Sequence, residues 1–299
     1  MKKVAIYGQS YSISAEKEIQ VLLSVLQENN IVCFIESEFY DLLKDGNILE
    51  KKYPTFSHFS DLNTSFDTLF TLGGDGTILR AVNYIRDLGI PILGINTGRL
   101  GFLATINKKN IKESIELILK GEFTIQERTL LSIKTLPKLE EFSELNFALN
   151  EVTIARKNTT SMIGVRTSLN KEYLTNYWAD GLIIATPTGS TGYSLSCNGP
   201  VISPDSKSLV ITPIAPHNLS ARSMVISDET NIQLTIDSRE KDFLISLDSR
   251  ISSVPKNTKV IIQKAAFKIK SITPNNQSFL QTLRSKLLWG EDTRNETNL

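Results

Sequence analysis

The sequence predicts two domains of different texture: an α/β domain on a parallel sheet, then a β-rich domain resembling a sandwich. Three observations predict this. The chain has 299 residues, more than one hydrophobic core usually serves. Up to about residue 124, strand-like and helix-like runs alternate. Beyond it, short β-rich runs follow one another, punctuated by Gly, Asn, Asp and Pro.

In the first part, KVAIYG reads as a strand. Residues 14–30 carry apolar side chains at helical spacing, with Ser14 as the expected N-cap. Lys17 rules out a capping box, while Glu16 and Glu18 suit the positive end of the helix dipole. IVCFIE is a strand, and FDTLFTLG is another that runs into glycine. TILRAVNYIRDLG reads as a helix closed by Gly89, and IPILGIN as the next strand. Such alternation implies a Rossmann-like parallel sheet with helices on both faces.

In the second part the strand-like runs are LLSIKTL, FALNEVTIAR, MIGVRTSL, GLIIATP, SLVITPI, SMVISD, NIQLTID, FLISLD and KVIIQKAAFKIKSI. They predict a β-sandwich-like domain. SFLQTLRSKLLW returns to helical periodicity, and GEDTRNETNL is a polar tail expected to fray. The expected division is residues 1–124 as the α/β domain, joined by a C-terminal helix within 277–299, and residues 125–276 as the β-rich domain.

Composition removes several function classes. Lys+Arg number 33 against 32 Asp+Glu, so no global field favours nucleic acid or an anionic membrane. The longest apolar runs, such as IPILGI and GLIIA, are too short to span a bilayer. The start, MKKVAIYGQS, reads as a first strand rather than a signal peptide. Two cysteines and two histidines do not make a four-ligand zinc pattern, and a reducing, cytoplasmic setting is expected.

The stretch TLGGDGTILR sets Asp75 among three glycines where a strand gives way to a helix. Ligands bind at the carboxyl ends of strands in open α/β sheets, and helix N-termini offer free N–H groups to phosphates. The stretch is not the dinucleotide fingerprint, because Gly74 and Gly76 run on to Leu79 rather than to a third glycine. Nor is it a Walker loop, since the chain has no Gly-Lys pair. Two readings of Asp75 stand. It serves a tight βα turn beside the helix dipole, or it accepts a hydroxyl proton or ligates Mg²⁺.

Residues 179–203, ADGLIIATPTGSTGYSLSCNGPVIS, crowd hydroxyls around Gly189 and Gly192. They offer many donors to one ligand, or bond their own backbone in a turn. Asn150-Glu151 opens the strand NEVTIAR, and on its own reads as a strand-start pair. His217 after Pro216 reads as structural.

Taken together, these pieces resemble the NAD kinase family. The resemblance rests on GGDGT (73–77), GINTGRLGFLA (94–104), NE (150–151), DGLIIATPTGSTGYSLS (180–196), PIAPHNLSAR (213–222), SLDSR (246–250) and the terminal KLLWGEDTR, in the family's order. GGDGT alone is shared with lipid kinases and phosphofructokinases. The hydroxyl loop with Asn150-Glu151 separates this chain from them, and an unbroken glycine turn around Asp75 speaks against a nucleotide-binding regulator without catalysis.

The resemblance implies transfer of the terminal phosphoryl group of ATP, or of polyphosphate, to the 2′-hydroxyl of the adenosine ribose of NAD, giving NADP. Mg²⁺ or another divalent metal would accompany ATP. Asp75 would take the hydroxyl proton, with Gly76 against the same nucleotide and Arg80 near it. Phe102 would wall the adenine pocket, and Asn150 and Glu151 would bind adenine and ribose edges. Thr191, Gly192, Tyr193, Ser194, Leu195 and Ser196 would line the dinucleotide. Asp180 and Ala215 would contact nucleotide, in part across a subunit interface of a homodimer or homotetramer. Departures from the family's pattern are Ala179, Gly192, Asn198 and Ser249-Arg250. Of these, Arg250 is expected to matter most, through phosphate contacts or donor choice.

Overall fold

The computed structural model of the chain describes residues 1–9, 15–98, 101–158, 161–218 and 220–288. It divides into two compact units, residues 1–126 with 270–299, and residues 127–269. The chain re-enters the first unit at Lys270, earlier than the expected 277.

In the first unit the elements run β1 (Lys3–Gly8), α1 (Glu16–Glu28), β2 (Val32–Glu36), α2 (Ser37–Asp45), β3 (Thr55–Phe56), β4 (Thr68–Gly73), α3 (Asp75–Ile85), β5 (Ile92–Asn96), β6 (Ile106–Asn107) and α4 (Ile111–Leu119). Strand β7 (Phe123–Leu136) leads out of it. The sheet order is β5-β4-β1-β2-β3, and every one of these pairings is parallel. β4 and β5 are buried along their whole length, as strands covered on both faces must be. The helices bury one face each: Ile19, Leu22 and Leu26 of α1 and Ile111, Ile115 and Ile118 of α4 join one core with Ile6, Ile35, Phe70 and Ile95. The chain moves from one side of β1 to the other between β3 and β4. The carboxyl ends of β1 and β4 therefore flank the switch point where open α/β sheets take ligands.

Helix α3 ends at Ile85, ahead of the expected Gly89. Arg86 has φ 41°, a conformation that cannot continue a helix, and Gly89 at φ 71° turns the following loop. Ser14, the expected cap of α1, lies outside the described residues, as does the end of the chain from residue 289.

The second unit continues with β8 (Phe147–Ala148), β9 (Glu151–Arg156), β10 (Ile163–Leu169), β11 (Glu172–Ala179), β12 (Gly181–Ala185), α5 (Tyr193–Ser196), β13 (Ser208–Ile214), β14 (Met224–Ser227), β15 (Ile232–Asp237), β16 (Asp242–Leu247), β17 (Arg250–Pro255) and β18 (Lys259–Pro274). One antiparallel sheet runs β14-β13-β12-β9-β16-β17, and a second contains β11-β10-β15-β18. Val152, Ile154, Leu182, Leu209 and Phe243 of the first sheet share a core with Val165, Tyr177, Leu234 and Val260 of the second. Two sheets over one core make a sandwich. The end of β18 belongs to the first unit, where Ser271 pairs in parallel with Ile92 and Ile272 enters that unit's core. Helix α6 (Phe279–Leu287) follows, capped by the Ser278 hydroxyl, which accepts the Gln281 N–H at 3.2 Å.

Seven elements, α2, α4, α5, β3, β6, β11 and β17, stand outside the sequence expectation. One expected strand, FALNEVTIAR, is broken at Leu149-Asn150 into β8 and β9. The N–H groups at the break leave the strand ladder for a side-chain carboxylate, and that diversion belongs to the site.

Candidate functional site

In the first unit the site grows from the end of β4. Gly73 has no room for a side chain: a Cβ would stand 2.9 Å from Thr77 Cβ and nearer still to its hydroxyl. This lets the chain turn from strand directly into α3, so Asp75 occupies the first helical position, where a carboxylate is favoured. The Asp75 carboxylate is gripped by backbone. Phe102 N–H donates to Oδ2 at 2.8 Å, and Leu103 and Ala104 N–H donate to Oδ1 at 3.0 Å each. Gly76 faces open space, and Arg80 is exposed one turn further along α3. The half-buried Phe102 ring lies 6.3 Å from that of Phe279, with Lys286 Nζ 5.4 Å above it. The structure thus brings Asp75, Gly76 and Phe102 together. Arg80 acts on a different neighbour, lowering the pKa of Tyr7, whose phenol burial and Glu36 push up to about 12.

In the second unit the site follows from strand register. β9 lies between β12 and β16 and runs antiparallel to both, so the start of β9 meets the ends of its two neighbours. Glu151 stands opposite Ala185, and Val152 opposite Leu247. Asn150-Glu151, the loop after β12 and Asp248 after β16 therefore converge. Asp248, at φ 53°, turns its carboxylate onto the broken strand. It accepts the N–H groups of Leu149 (2.9 Å), Asn150 (2.8 Å) and Glu151 (3.2 Å).

The loop after β12 closes onto the same point. The Thr186 hydroxyl donates to Leu149 O at 2.7 Å and accepts Gly189 N–H at 3.1 Å. Gly189 presses on Asn150, where a Cβ would sit 2.8 Å from Cα and nearer still to the carbonyl. Only glycine permits that approach. Gly192 borders Glu151 and Asn150: a Cβ there would stand 3.2 Å from Glu151 Oε2 and 3.4 Å from Asn150 Nδ2.

Glu151 is buried, and burial together with the Asp248 charge pushes its carboxyl up to about 8. Burial also raises Asp248 against the pull of its three amides and Arg250. Three amide donors favour the ionised form of Asp248, and its charge favours the protonated form of Glu151. Asn150 Oδ1 and Glu151 Oε2 are buried and have no hydrogen-bond partner among the described residues. Buried polar atoms are almost always paired, so these two are candidates for meeting a ligand's polar edge. The Tyr193 phenol, 44% exposed, is raised by burial and then by Cys197, Asp180 and Glu151.

The hydroxyl loop divides into two kinds of residue. Ser190 bonds Pro187 O at 2.7 Å and accepts Ile202 N–H at 2.9 Å. Ser194 Oγ lies 2.9 Å from Thr212 Oγ1 inside the core, and Thr191 donates to Thr188 O at 3.2 Å. These hydroxyls hold the loop together and are not free donors. Tyr193 and Ser196 are the exposed ones, and Leu195 is half-buried. Asp180 pairs with Arg156 at 2.9 Å, and its N–H reaches Ile214 O at 2.9 Å, which brings it beside Ala215 at φ 43°. Next to Ala215 opens a cleft of about 320 Å³, lined in part by Asn198, Pro213, Pro216 and Arg222. His217 N–H donates to Trp178 O at 2.9 Å.

Arg250, the departure from the family pattern expected to matter most, serves the backbone of its own unit. Its guanidinium donates to Leu145 O at 2.7 Å and to Phe147 O, and lies 5.4 Å from the Phe147 ring centre. It ties down the segment before β9. Gly101 and Asp248 carry more of the site than their sequence context suggested. An Asp closing a β-hairpin at positive φ, and a glycine three residues before an alanine that packs on β5, were the available signals.

Comparison with known proteins agrees with this geometry. The sequence model of the ATP-NAD kinase N-terminal domain matches residues 12–123, and that of the ATP-NAD kinase C-terminal domain matches residues 149–273. The NAD kinase of Christiangramia forsetii is 54% identical over 293 residues, covering 98% of this chain and 100% of that protein. Two solved structures share the fold. Yeast NADH kinase complexed with NADH has a TM-score of 0.86 at 22% identity, covering 99% of this chain and 90% of that one. The NAD kinase from Archaeoglobus fulgidus in complex with ATP has a TM-score of 0.72 at 23% identity, covering 95% and 97%. With both halves of the family's sequence matched, and more than half of its residues shared with a relative of almost the same extent, this chain belongs to the NAD kinase family.

Proposed function

We propose that this chain transfers the terminal phosphoryl group of ATP to the 2′-hydroxyl of the adenosine ribose of NAD, giving NADP, with Asp75 as the proton acceptor. The observation that carries the residue assignment is the Asp75 carboxylate, fixed by three amides at the carboxyl end of β4. As the bond from O2′ to the γ-phosphorus forms and the bond to the β-phosphate oxygen breaks, the hydroxyl proton passes to Asp75. Positioning and charge neutralisation supply the rest of the rate, as phosphoryl transfer asks little covalent help.

The adenine and ribose edges have a matching surface in the unpartnered atoms of Asn150 and Glu151. A largely protonated Glu151 donates to a ribose oxygen as well as accepting from a hydroxyl. Phe102 offers an aromatic face, and Tyr193 a phenol, to the dinucleotide. Gly76, Arg80, Asp180, Gly192, Ser196 and Ala215 are assigned to nucleotide contact on the family resemblance. Thr191, Ser194 and Leu195 contribute by shaping the loop.

No cluster of three or more His, Cys, Asp or Glu among the described residues could hold a metal. The divalent cation is assigned to the Mg·ATP substrate, because Mg²⁺ is usually held by phosphates and water with one or two carboxylates rather than by an all-protein cage. Two free cysteines fit a reducing cytoplasm, and no described helix is long and apolar enough to cross a membrane. The assembly is a homodimer or homotetramer in this reading, which sedimentation equilibrium tests.

The test is purified protein with NAD and Mg·ATP, with NADP read through an NADP-specific dehydrogenase and Asp75→Asn alongside. Wild type forms NADP, and Asp75→Asn loses about 10²–10⁴-fold in kcat, the usual size of general-base assistance. Near wild-type turnover in Asp75→Asn removes the base assignment. Absence of NADP from a folded wild type, with ATP and then with polyphosphate, removes the reaction.

A further inference from the structure

We infer that Gly101 is a positioning residue for Asp75, and that the Asp75 oxygen left to meet the substrate hydroxyl is Oδ2. The inference rests on the reading of Asp75 as proton acceptor. An ionised carboxylate offers about four acceptor positions. Leu103 and Ala104 take two on Oδ1, and Phe102 takes one on Oδ2. The remaining position is on Oδ2. A carboxylate held at three points keeps one orientation as the hydroxyl arrives, so no reorganisation is needed at the moment of proton transfer.

This grip requires the backbone of residues 101–104 to come very close to Asp75, and glycine at 101 allows it. A Cβ on Gly101 would lie 2.7 Å from Oδ2 and nearer still to Cγ and Oδ1. Ala104 is fully buried against β5, where a Cβ on Gly94 would already be 2.7 Å from Ala104 Cα. The three atoms nearest a Cβ on Gly101 all belong to the Asp75 carboxylate, the end of a side chain, so a side chain at 101 pushes on that carboxylate first.

The test is a double-mutant cycle on the full chain, with Gly101→Ala, Asp75→Ala and the pair. Turnover is read in single-turnover reactions with radiolabelled ATP, and folding by thermal melting. Gly101→Ala is expected to lower kcat about 10- to 100-fold, as a misplaced catalytic group does, with KM for NAD changed less than about threefold. In the Asp75→Ala background, where no carboxylate is left to displace, Gly101→Ala is expected to change kcat by less than about twofold. Unchanged kcat in the single variant overturns the inference, as does an equal loss in both backgrounds. If Gly101→Ala does not fold, Asp75→Glu carries the test. It keeps the charge but moves the carboxylate one methylene out of register with the three amides. Turnover near wild type in Asp75→Glu overturns the positioning. Undiminished turnover in Asp75→Ala itself rejects the base assignment instead, which separates the two failures.

Discussion

Asp248 Oδ1 accepts the backbone N–H of Asn150 at 2.8 Å across 98 positions of sequence, and this bond shapes the start of β9. The same carboxylate serves Leu149 and Glu151. Asp248→Ala leaves three N–H groups without their acceptor, and unpaired buried donors are expensive. We expect a loss of about 3 kcal/mol in urea unfolding, with a raised KM for NAD. Asp248→Asn, which keeps one acceptor oxygen, falls between. Equal stability of Asp248→Ala and wild type contradicts the role.

Glu151 gives stability a definite pH dependence. A carboxyl pushed up to about 8 keeps its proton in the folded chain after the unfolded chain has released it. From the ordinary glutamate range to about pH 8, the folded state binds the extra proton, so stability falls as pH rises and levels off above that window. Asp248, also raised, pulls in the same direction. Glu151→Gln has no proton to lose and should show a shallower decline. Denaturation midpoints at several pH values for both proteins check this, and equal slopes contradict it.

Neighbouring residues of the hydroxyl loop should separate by readout. Ser194 bonds Thr212 in the core, so Ser194→Ala lowers stability by about 1 kcal/mol and leaves KM for NAD within about twofold. Tyr193 is exposed beside Glu151, so Tyr193→Ala raises KM for NAD several-fold with little change in melting. A reversed pattern in steady-state kinetics and thermal scans would show that the loop is oriented otherwise.

Arg250 is bound to two backbone carbonyls, and its removal should be felt in folding rather than in donor choice. Arg250→Ala is expected to lower stability by about 1–3 kcal/mol, as the loss of charge-assisted bonds does. The ratio of turnover with ATP to turnover with polyphosphate should stay as in wild type. A shifted ratio without a stability loss contradicts the structural role.

Much of this molecule was legible in its sequence, for reasons that are local. The buried strand TLFTLG and the helix after it differ in period, and glycines mark the turn where Asp75 sits. Helix α4 was equally available, since Ile111, Ile115 and Ile118 fall on one face. The rest depends on partners far away in sequence. A count of hydroxyls cannot show that Ser194 turns inward to Thr212 while Tyr193 turns outward. Nor does SLDSR show that its aspartate reaches the start of β9 or that its arginine clips Leu145. Strand periodicity carried FALNEVTIAR straight through Leu149-Asn150, because a carboxylate that ends the ladder leaves no mark on the residues it binds.

The path of β18 has a consequence for how the chain is made. The second unit is one uninterrupted stretch, residues 127–269, and all of its strands have been synthesised before Lys270. The first unit is not continuous: Ser271 must pair with Ile92, and Ile272 must fill a core begun by Ile6 and Leu22. On the ribosome, the earlier-made part waits with one edge of β5 and part of its apolar interior unsealed while the later-made part closes. The order of translation is thus the reverse of the order of completion. The interval between them is when this chain most needs protection from other nascent chains, because open strand edges and exposed apolar surface are what aggregate.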